Sequence, residues 1–273
     1  MLVTHLPVKA EVRRYTQLRG KPVIIIESYG SKDIVLDSSA EAKGVAAGMP
    51  LAEAMARCKD ASLIQADAPY YNNTFDNLIK ALELRSPAVE KDGLGCAYVG
   101  LEGLEMMYGG EARVIASLLQ ALPVEFNPRV GVAEGKFPAY VAAVTTQGGR
   151  ATRIPRDSAR TAAFLSGLSI GLLPLSWANK TRLHRFGIHT LGQLSSLPEG
   201  AVQAQMGAEG RKAWLLAGGV DNSPLISHRA QQVVEESLTF PQPTVTWSPI
   251  LTGLGILLGR AFARPEVGGR YVR

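Results

Sequence analysis

Only two cysteines, Cys58 and Cys96, occur in the 273 residues. Two isolated thiols build no disulfide framework, read as small buried hydrophobes, and point to a reducing compartment, so a cytoplasmic location is expected. No apolar run reaches the ~20 residues needed to span a membrane. The longest candidates, 23–26 and 250–258, are the size of a strand and of a helix face, so no membrane partner is expected. A basic stretch leading into a long apolar one is missing from the N-terminus, which excludes a secretion signal in these residues. Charged residues make up only 19%, but with 46% hydrophobic residues the chain is too apolar for disorder. Aspartate is absent from the first 32 residues, where Glu11 and Glu27 are the only acids. No Gly-Lys-Ser/Thr follows Tyr108-Gly109-Gly110, so that segment reads as a turn and not a phosphate loop. His5, His184, His189 and His228 are scattered without metal-ligand spacing and read as structural or surface residues. Ser38-Ser39 has no evident His or Lys partner and makes no nucleophile.

What is present is unevenly charged. The net charge is +5, yet residues 1–128 carry 13 Lys/Arg against 16 Asp/Glu, while residues 129–212 carry 11 against 4. A basic middle segment beside an acidic first half points to an anionic partner on one part of the molecule.

The hydrophobic pattern changes character along the chain. Val23–Ile26 is a continuous β-branched run, the mark of a buried strand. Pro50 opens a helix, and Tyr71, Phe75, Leu78, Ile79 and Leu82 lie on one face of another, ended by Pro87. Residues 94–101 and 129–133 read as strands, and 111–122 and 136–146 as helices. This alternation implies an α/β or α+β layer. From Asp157, a plausible N-cap, to Gly218 only short helices are expected. Within them, Gly187 ends one helix and Thr190 caps the next, a tight helix–turn–helix hairpin. Trp177 and Trp214 read as core residues. Residues 237–240 and 268–273 are expected as two strands around a helix carrying Leu251, Leu254, Leu258 and Phe262, too little to close a core of their own.

Six segments, in order, resemble the Y-family (translesion) DNA polymerases. Leu18-Arg19-Gly20-Lys21-Pro22-Val23 looks like the family's L-R-G-K-P-V, and Gly44-Val45-Ala46-Ala47-Gly48-Met49-Pro50-Leu51 like its G-V-R-S-G-M-P-L. Ser86-Pro87-Ala88-Val89-Glu90 is similar to S-P-x-V-E. Arg129-Val130-Gly131-Val132-Ala133 with Lys136-Phe137 is similar to S-x-G-I-A-x-N-K-F. Phe186 to Leu194 resembles F-G-I-x-T-L-G-x-L, and Gly218-Gly219-Val220-Asp221 the closing G-I-D. The resemblance implies a palm with inserted fingers over 1–165 (fingers about 28–68), a helical thumb over 166–228, and the incomplete start of a little finger over 233–273. The implied fold class is an α/β (α+β) palm and fingers, an all-helical thumb, and a truncated α/β little finger.

The departures from the pattern bear on function. Polymerase chemistry needs two divalent metals held about 4 Å apart by hard oxygen ligands. The family supplies one Asp on its first strand, in H-V-D-M-D, and an Asp-Glu pair in S-I-D-E-A. Here the first strand is expected over Leu2-Val3-Thr4-His5-Leu6-Pro7, with Thr4 at the acid's place, and Gly95 and Cys96 stand where the pair should be. The family's S-Y-E-A-R grips the triphosphate through its Tyr and Arg; those positions hold Ser38 and Glu41, and a carboxylate repels a triphosphate. The later K-P-N-G lysine is missing from Thr146-Gln147-Gly148-Gly149-Arg150. These losses resemble the inactive ImuB-type branch.

The implied role is a non-catalytic adaptor on primer–template DNA in translesion synthesis, DNA repair and induced (SOS) mutagenesis. No catalytic residues and no cofactor are expected on this resemblance, with magnesium expected only if polymerase activity survives. The implied partners are an error-prone DnaE-type polymerase, a RecA-like accessory protein and the sliding clamp. Lys180, Arg182, Arg185, Gly187, Arg211 and Lys212 are the candidate DNA contacts, although the Gly-rich hairpin of the family is replaced by Ser176-Trp177-Ala178-Asn179. Two alternatives remain: an active polymerase with relocated acids (Glu11, Glu102 or Glu105), and a protein-interaction module that does not bind DNA.

Overall fold

The structure, a computed structural model, describes residues 1–30, 32–227, 236–240 and 246–263; of Tyr29 only the backbone is described. The chain divides into Met1–Arg229 and Ala230–Arg273. In the first unit the elements are α1 (Leu6–Arg14), β1 (Val23–Tyr29), β2 (Lys32–Ser38), α2 (Leu51–Arg57), β3 (Ser62–Gln65), α3 (Ala68–Glu83), β4 (Val89–Lys91), β5 (Ala97–Val99), α4 (Leu104–Tyr108) and α5 (Glu111–Gln120). They continue with β6 (Val130–Val132), α6 (Lys136–Thr145), β7 (Ala151–Arg153), α7 (Ser158–Ser166), α8 (Trp177–Arg185), α9 (Leu191–Ser195) and α10 (Glu199–Ala217).

Three small sheets replace one large one. β1 is central to the first, antiparallel to β2 and parallel to β3. Its β-branched run explains the position, because Val23, Ile24 and Ile25 are fully buried and serve two cores. β4 pairs antiparallel with β5, and β6 pairs parallel with β7. Leu2 joins the last two sheets through bridges to Cys96 on one side and Arg129 on the other.

The expected first strand is therefore only partly formed. The chain turns at Thr4-His5, and α1 begins at Leu6 with Pro7 in its first turn. Proline there has no N–H to lose and a φ suited to a helix, so it ends the strand early. The strand expected over 94–101 likewise shrinks to Ala97–Val99, since Gly93 (φ 70°) and Gly95 (φ 87°) are left-handed. The long apolar face of α3 is as read: Tyr71, Phe75, Leu78 and Leu82 are buried.

A second core joins α6 to α7–α10 through Phe137, Leu165, Leu183, Leu191 and Leu194. Asp157 caps α7 by accepting from Arg160 N at 2.9 Å. Thr190 and Gln193 form a reciprocal capping box on α9. Gly187 takes φ 74° at the turn, as the sequence predicts. The expectation of short helices only fails at α10, which is 19 residues long but broken at Gly207 (φ 62°).

In Ala230–Arg273 the described residues are 236–240 and 246–263, the latter carrying α11 (Trp247–Ala263). Residues 237–240 form no strand, contrary to expectation; the second expected strand, 268–273, lies outside the described residues. Gly253 is buried against the side chains of Leu238 and Phe240, while Leu251, Leu254 and Leu258 are half-exposed.

Gly131 shows how tightly the layer is packed. A β-carbon there would collide with Ala139 O and Ala143 N of α6. Gly131→Ala is expected to destabilise the fold by about 1–3 kcal/mol, the usual cost of overpacking, measured as a lower urea midpoint with unchanged m.

Candidate active site and nucleic-acid interface

Leu2 lies between the two half-sheets, so the residues beside it form the middle of the composite layer. Cys96 is opposite Leu2 and buried, and its thiol is pushed up by burial, away from the thiolate that binds metals. A β-carbon on Gly95 would approach Val3 O to 2.5 Å, at a φ that side chains rarely adopt. No side chain fits at Gly95 without moving the strand. Thr4 is half-buried in the following turn. An apolar Leu2, a glycine and a neutral thiol do not fit a pair of magnesium ions, which take hard oxygen ligands.

The alternative acids do not converge there. Glu11 is buried in the main core, where Tyr71 Oη donates to its Oε1 at 3.0 Å and its Oε2 has no partner among the described residues. Glu102 is exposed beyond β5, and Glu105 pairs with Arg156 at 3.7 Å. Among the described residues, no three His, Cys, Asp or Glu side chains cluster as a metal site would require.

A polar group that the sequence reading missed lies at the start of α1. His5, at φ 52°, donates or accepts through Nδ1 at 2.6 Å from Asp37 Oδ1. Asp37 is nearly buried, and it also accepts from Ser38 N at 2.9 Å and from Val8 N at 3.4 Å. It thereby caps α1, which has no cap of its own. The hydrogen bond to the Asp37 carboxylate raises the His5 pKa, although burial opposes the rise. Lys9 is pushed down to about 8, chiefly by burial and then by Arg129, and its Nζ donates to Phe126 O at 2.9 Å. His5 and Asp37 are 32 residues apart, and only the β2–α1 contact brings them together. Ser38 is buried with its hydroxyl donating to Val45 O, and Glu41 is exposed.

The basic candidates gather on the second core. Lys180 Nζ donates to Gly171 O at 2.9 Å, Arg182 to Gln205 O, and Arg211 pairs with Glu199 at 2.7 Å. Arg185, Gly187 and Lys212 are exposed. Trp177 is 81% exposed, which corrects its reading as core: it is the first residue of α8, whose buried residue is Leu183. Trp214 is half-buried, with Nε1 donating to Leu197 O. His184 and His189 meet across the Gly187 turn, Nδ1 to Nδ1 at 3.0 Å, so they are not scattered in space. His228 lies outside the described residues.

One carboxylate interrupts the basic group. Glu209 of α10 accepts from Ser176 N, Ser176 Oγ and Asn179 Nδ2, and so occupies the first turn of α8. These hydrogen bonds, Ser176 N first, hold its carboxyl below the ordinary value. At this helix start Ser176 N is partnered by Glu209 and Asn179 N by Ser176 Oγ. The linker after α10 is also tied down: Asp221 accepts from Phe137 N at 2.7 Å, and Glu90 holds both Lys136 and Ile226 N at 2.6 Å.

Residues 3–144 match the impB/mucB/samB family. The chain belongs to that family. It therefore carries the UmuC/DinB-type Y-family polymerase domain. A protein called DNA polymerase IV from Dehalococcoides mccartyi (strain 195) is 27% identical over 263 residues, covering 94% of this chain and 67% of that protein. One of the same name from Caulobacter vibrioides is 25% identical over 236 residues, covering 84% and 58%. The crystal structure of DinB from Sulfolobus solfataricus superposes with a TM-score of 0.69 at 21% identity, over 83% of this chain and 68% of that one. An insertion ternary complex of Dbh DNA polymerase gives 0.69 at 21% identity, over 82% and 67%. These structures share the mixed α/β and helical fold. The chain spans about two thirds of the length of the Dehalococcoides relative and of the two solved structures, and 58% of the Caulobacter relative. Among the described residues no helix is long and apolar enough to cross a membrane.

The His5–Asp37 pair predicts a pH dependence. A folded-state pKa raised above 6.5 stabilises the fold fully below that value, and the gain is lost as pH rises through the raised value. His5→Asn keeps a residue that tolerates φ > 0. The variant is expected to melt below the parent at pH 5.5, with the gap closing as pH rises through the raised pKa; thermal unfolding across a pH series checks it.

Proposed function

We propose that this Y-family polymerase-like chain is a non-catalytic protein that holds primer–template DNA during translesion synthesis. The single observation that carries the reading is Gly95 against the Val3 carbonyl, with neutral Cys96 beside it, where the family places its Asp-Glu pair. Residues 1–165 serve as palm and fingers, 166–228 as thumb, and 233–273 as the beginning of a little finger. The nucleotide side agrees with loss of chemistry. Glu41 stands for the triphosphate-binding arginine, and Asp37 already fills the start of α1.

DNA contact falls to Arg185, Lys212 and the Gly187 turn, with Lys180, Arg182 and Arg211 behind them. Such contacts are to phosphates and carry no sequence preference. An adaptor of the ImuB type would act beside a DnaE-type polymerase, a RecA-like protein and the sliding clamp, in damage-induced mutagenesis in the cytoplasm.

A second reading has one observation in its favour: relatives over most of the chain are named DNA polymerase IV. It requires magnesium and acids moved from Glu11, Glu102 or Glu105, of which the first is tied to Tyr71 in the core. The third, a module without DNA binding, draws on Glu209 at the start of α8.

Two assays on one sample separate these readings. Fluorescence titration of primed DNA is expected to show binding that weakens steeply with salt. The double variant Arg185→Ala/Lys212→Ala is expected to flatten the log–log salt slope by about 2, one unit per lost phosphate contact. Primer extension with magnesium or manganese is expected to give no product; template-dependent synthesis above background supports the second reading, and no binding at low salt the third.

A further inference from the structure

His184 and His189 stand on the two sides of the Gly187 turn. Both are exposed, and their Nδ1 atoms are 3.0 Å apart. The ring planes are tilted by 42°, so the rings meet at their nitrogens and do not stack.

The backbone under each ring is fixed. Gly187 takes φ 74°, and Ile188 N bonds to Leu183 O and Gly187 N to His184 O, both at 3.0 Å. That pair of bonds is the Schellman ending of a helix, here α8. Leu183 is buried, and Ile188 packs against the same core. On the far side of the turn, His189 N donates to Gln193 Oε1 at 2.7 Å, and His189 O accepts from Ile170 N at 3.0 Å. The Thr190–Gln193 capping box then starts α9 at once. The two side chains therefore leave a rigid turn, and little ordering is needed to use them together.

A hydrogen bond between two ring nitrogens needs one donor and one acceptor, so at least one imidazole is neutral. The acceptor already has its lone pair on the partner's side. A neutral donor offers one too when its proton moves to Nε2, a change of tautomer without a change of charge.

We propose that His184 and His189 are a cis pair of ligands for a divalent transition-metal ion, copper(II) above the others. Imidazole nitrogens sit about 2.0–2.1 Å from such an ion. Two of them 3.0 Å apart then subtend an angle of about 95° at the metal, whereas a tetrahedral pair would need about 3.3–3.4 Å. A right angle between nitrogens is the edge of a square plane, the geometry of copper(II) and nickel(II), and copper binds such donors most tightly in its row. Among the described residues no third His, Cys, Asp or Glu joins the pair, so water completes the ion's coordination. Arg185 is exposed, so salt screens its repulsion of the ion, and Arg182 is held at Gln205 O. The pair can bind metal whether or not the turn touches DNA.

The test titrates copper(II) chloride into the full, untagged chain in a buffer that does not bind metals. Pulsed electron paramagnetic resonance counts the imidazoles on the ion. The first equivalent is expected to carry two. His184→Ala and His189→Ala are each expected to leave one imidazole and to weaken copper binding about tenfold or more, because the second ligand is no longer held beside the first. Both side chains are exposed, so neither variant is expected to lower the unfolding midpoint, and a loss of copper is not a loss of fold. His228→Ala is expected to bind as the parent does. Fewer than two imidazoles in the parent, or two retained at unchanged affinity in either single variant, would overturn the proposal.

Discussion

Leu2 is the residue on which the first unit is organised. Its amide and carbonyl bond to Arg129, its neighbour Met1 bonds to Ala97, and two small sheets thereby become one layer. A sheet held at one residue imposes close approach on its surroundings. Val3 O meets Gly95, the chain must turn at Thr4-His5, and α1 must start at Leu6. The same closeness leaves no space for an acidic side chain at Gly95.

The chain's own carboxylates satisfy two helix starts that could otherwise attract phosphate. Asp37 caps α1 from β2, and Glu209 of α10 holds Ser176, the N-cap residue of α8. Each hydrogen bond costs little to form within a folded chain and neutralises part of the helix dipole. In a nucleotide-using enzyme such donors commonly serve the ligand. Here they hold elements together, while Arg185 and Lys212 stay exposed.

Much of this was legible in the sequence because it is local. The β-branched run of β1, the α3 face, the Asp157 cap and the Gly187–Thr190 hairpin follow from propensity and periodicity within a few residues. The family resemblance likewise rested on short ordered segments. What escaped was non-local or contextual. His5 meets Asp37 across 32 residues, and Glu209 reaches Ser176 across 33; no spacing rule links either pair. Trp177 looked like core because tryptophan usually is, yet a helix start leaves it in solvent. The first strand was expected to run to Pro7, but a proline that starts a helix outweighed it.

On the function proposed above, the middle of this layer does not grip two divalent ions. Manganese electron paramagnetic resonance reads it most directly, on protein with primed DNA and a non-hydrolysable triphosphate, against the same mixture without protein. The account predicts no spin-coupled manganese pair attributable to the protein. A coupled pair at about 4 Å separation, present only with the protein, would contradict it.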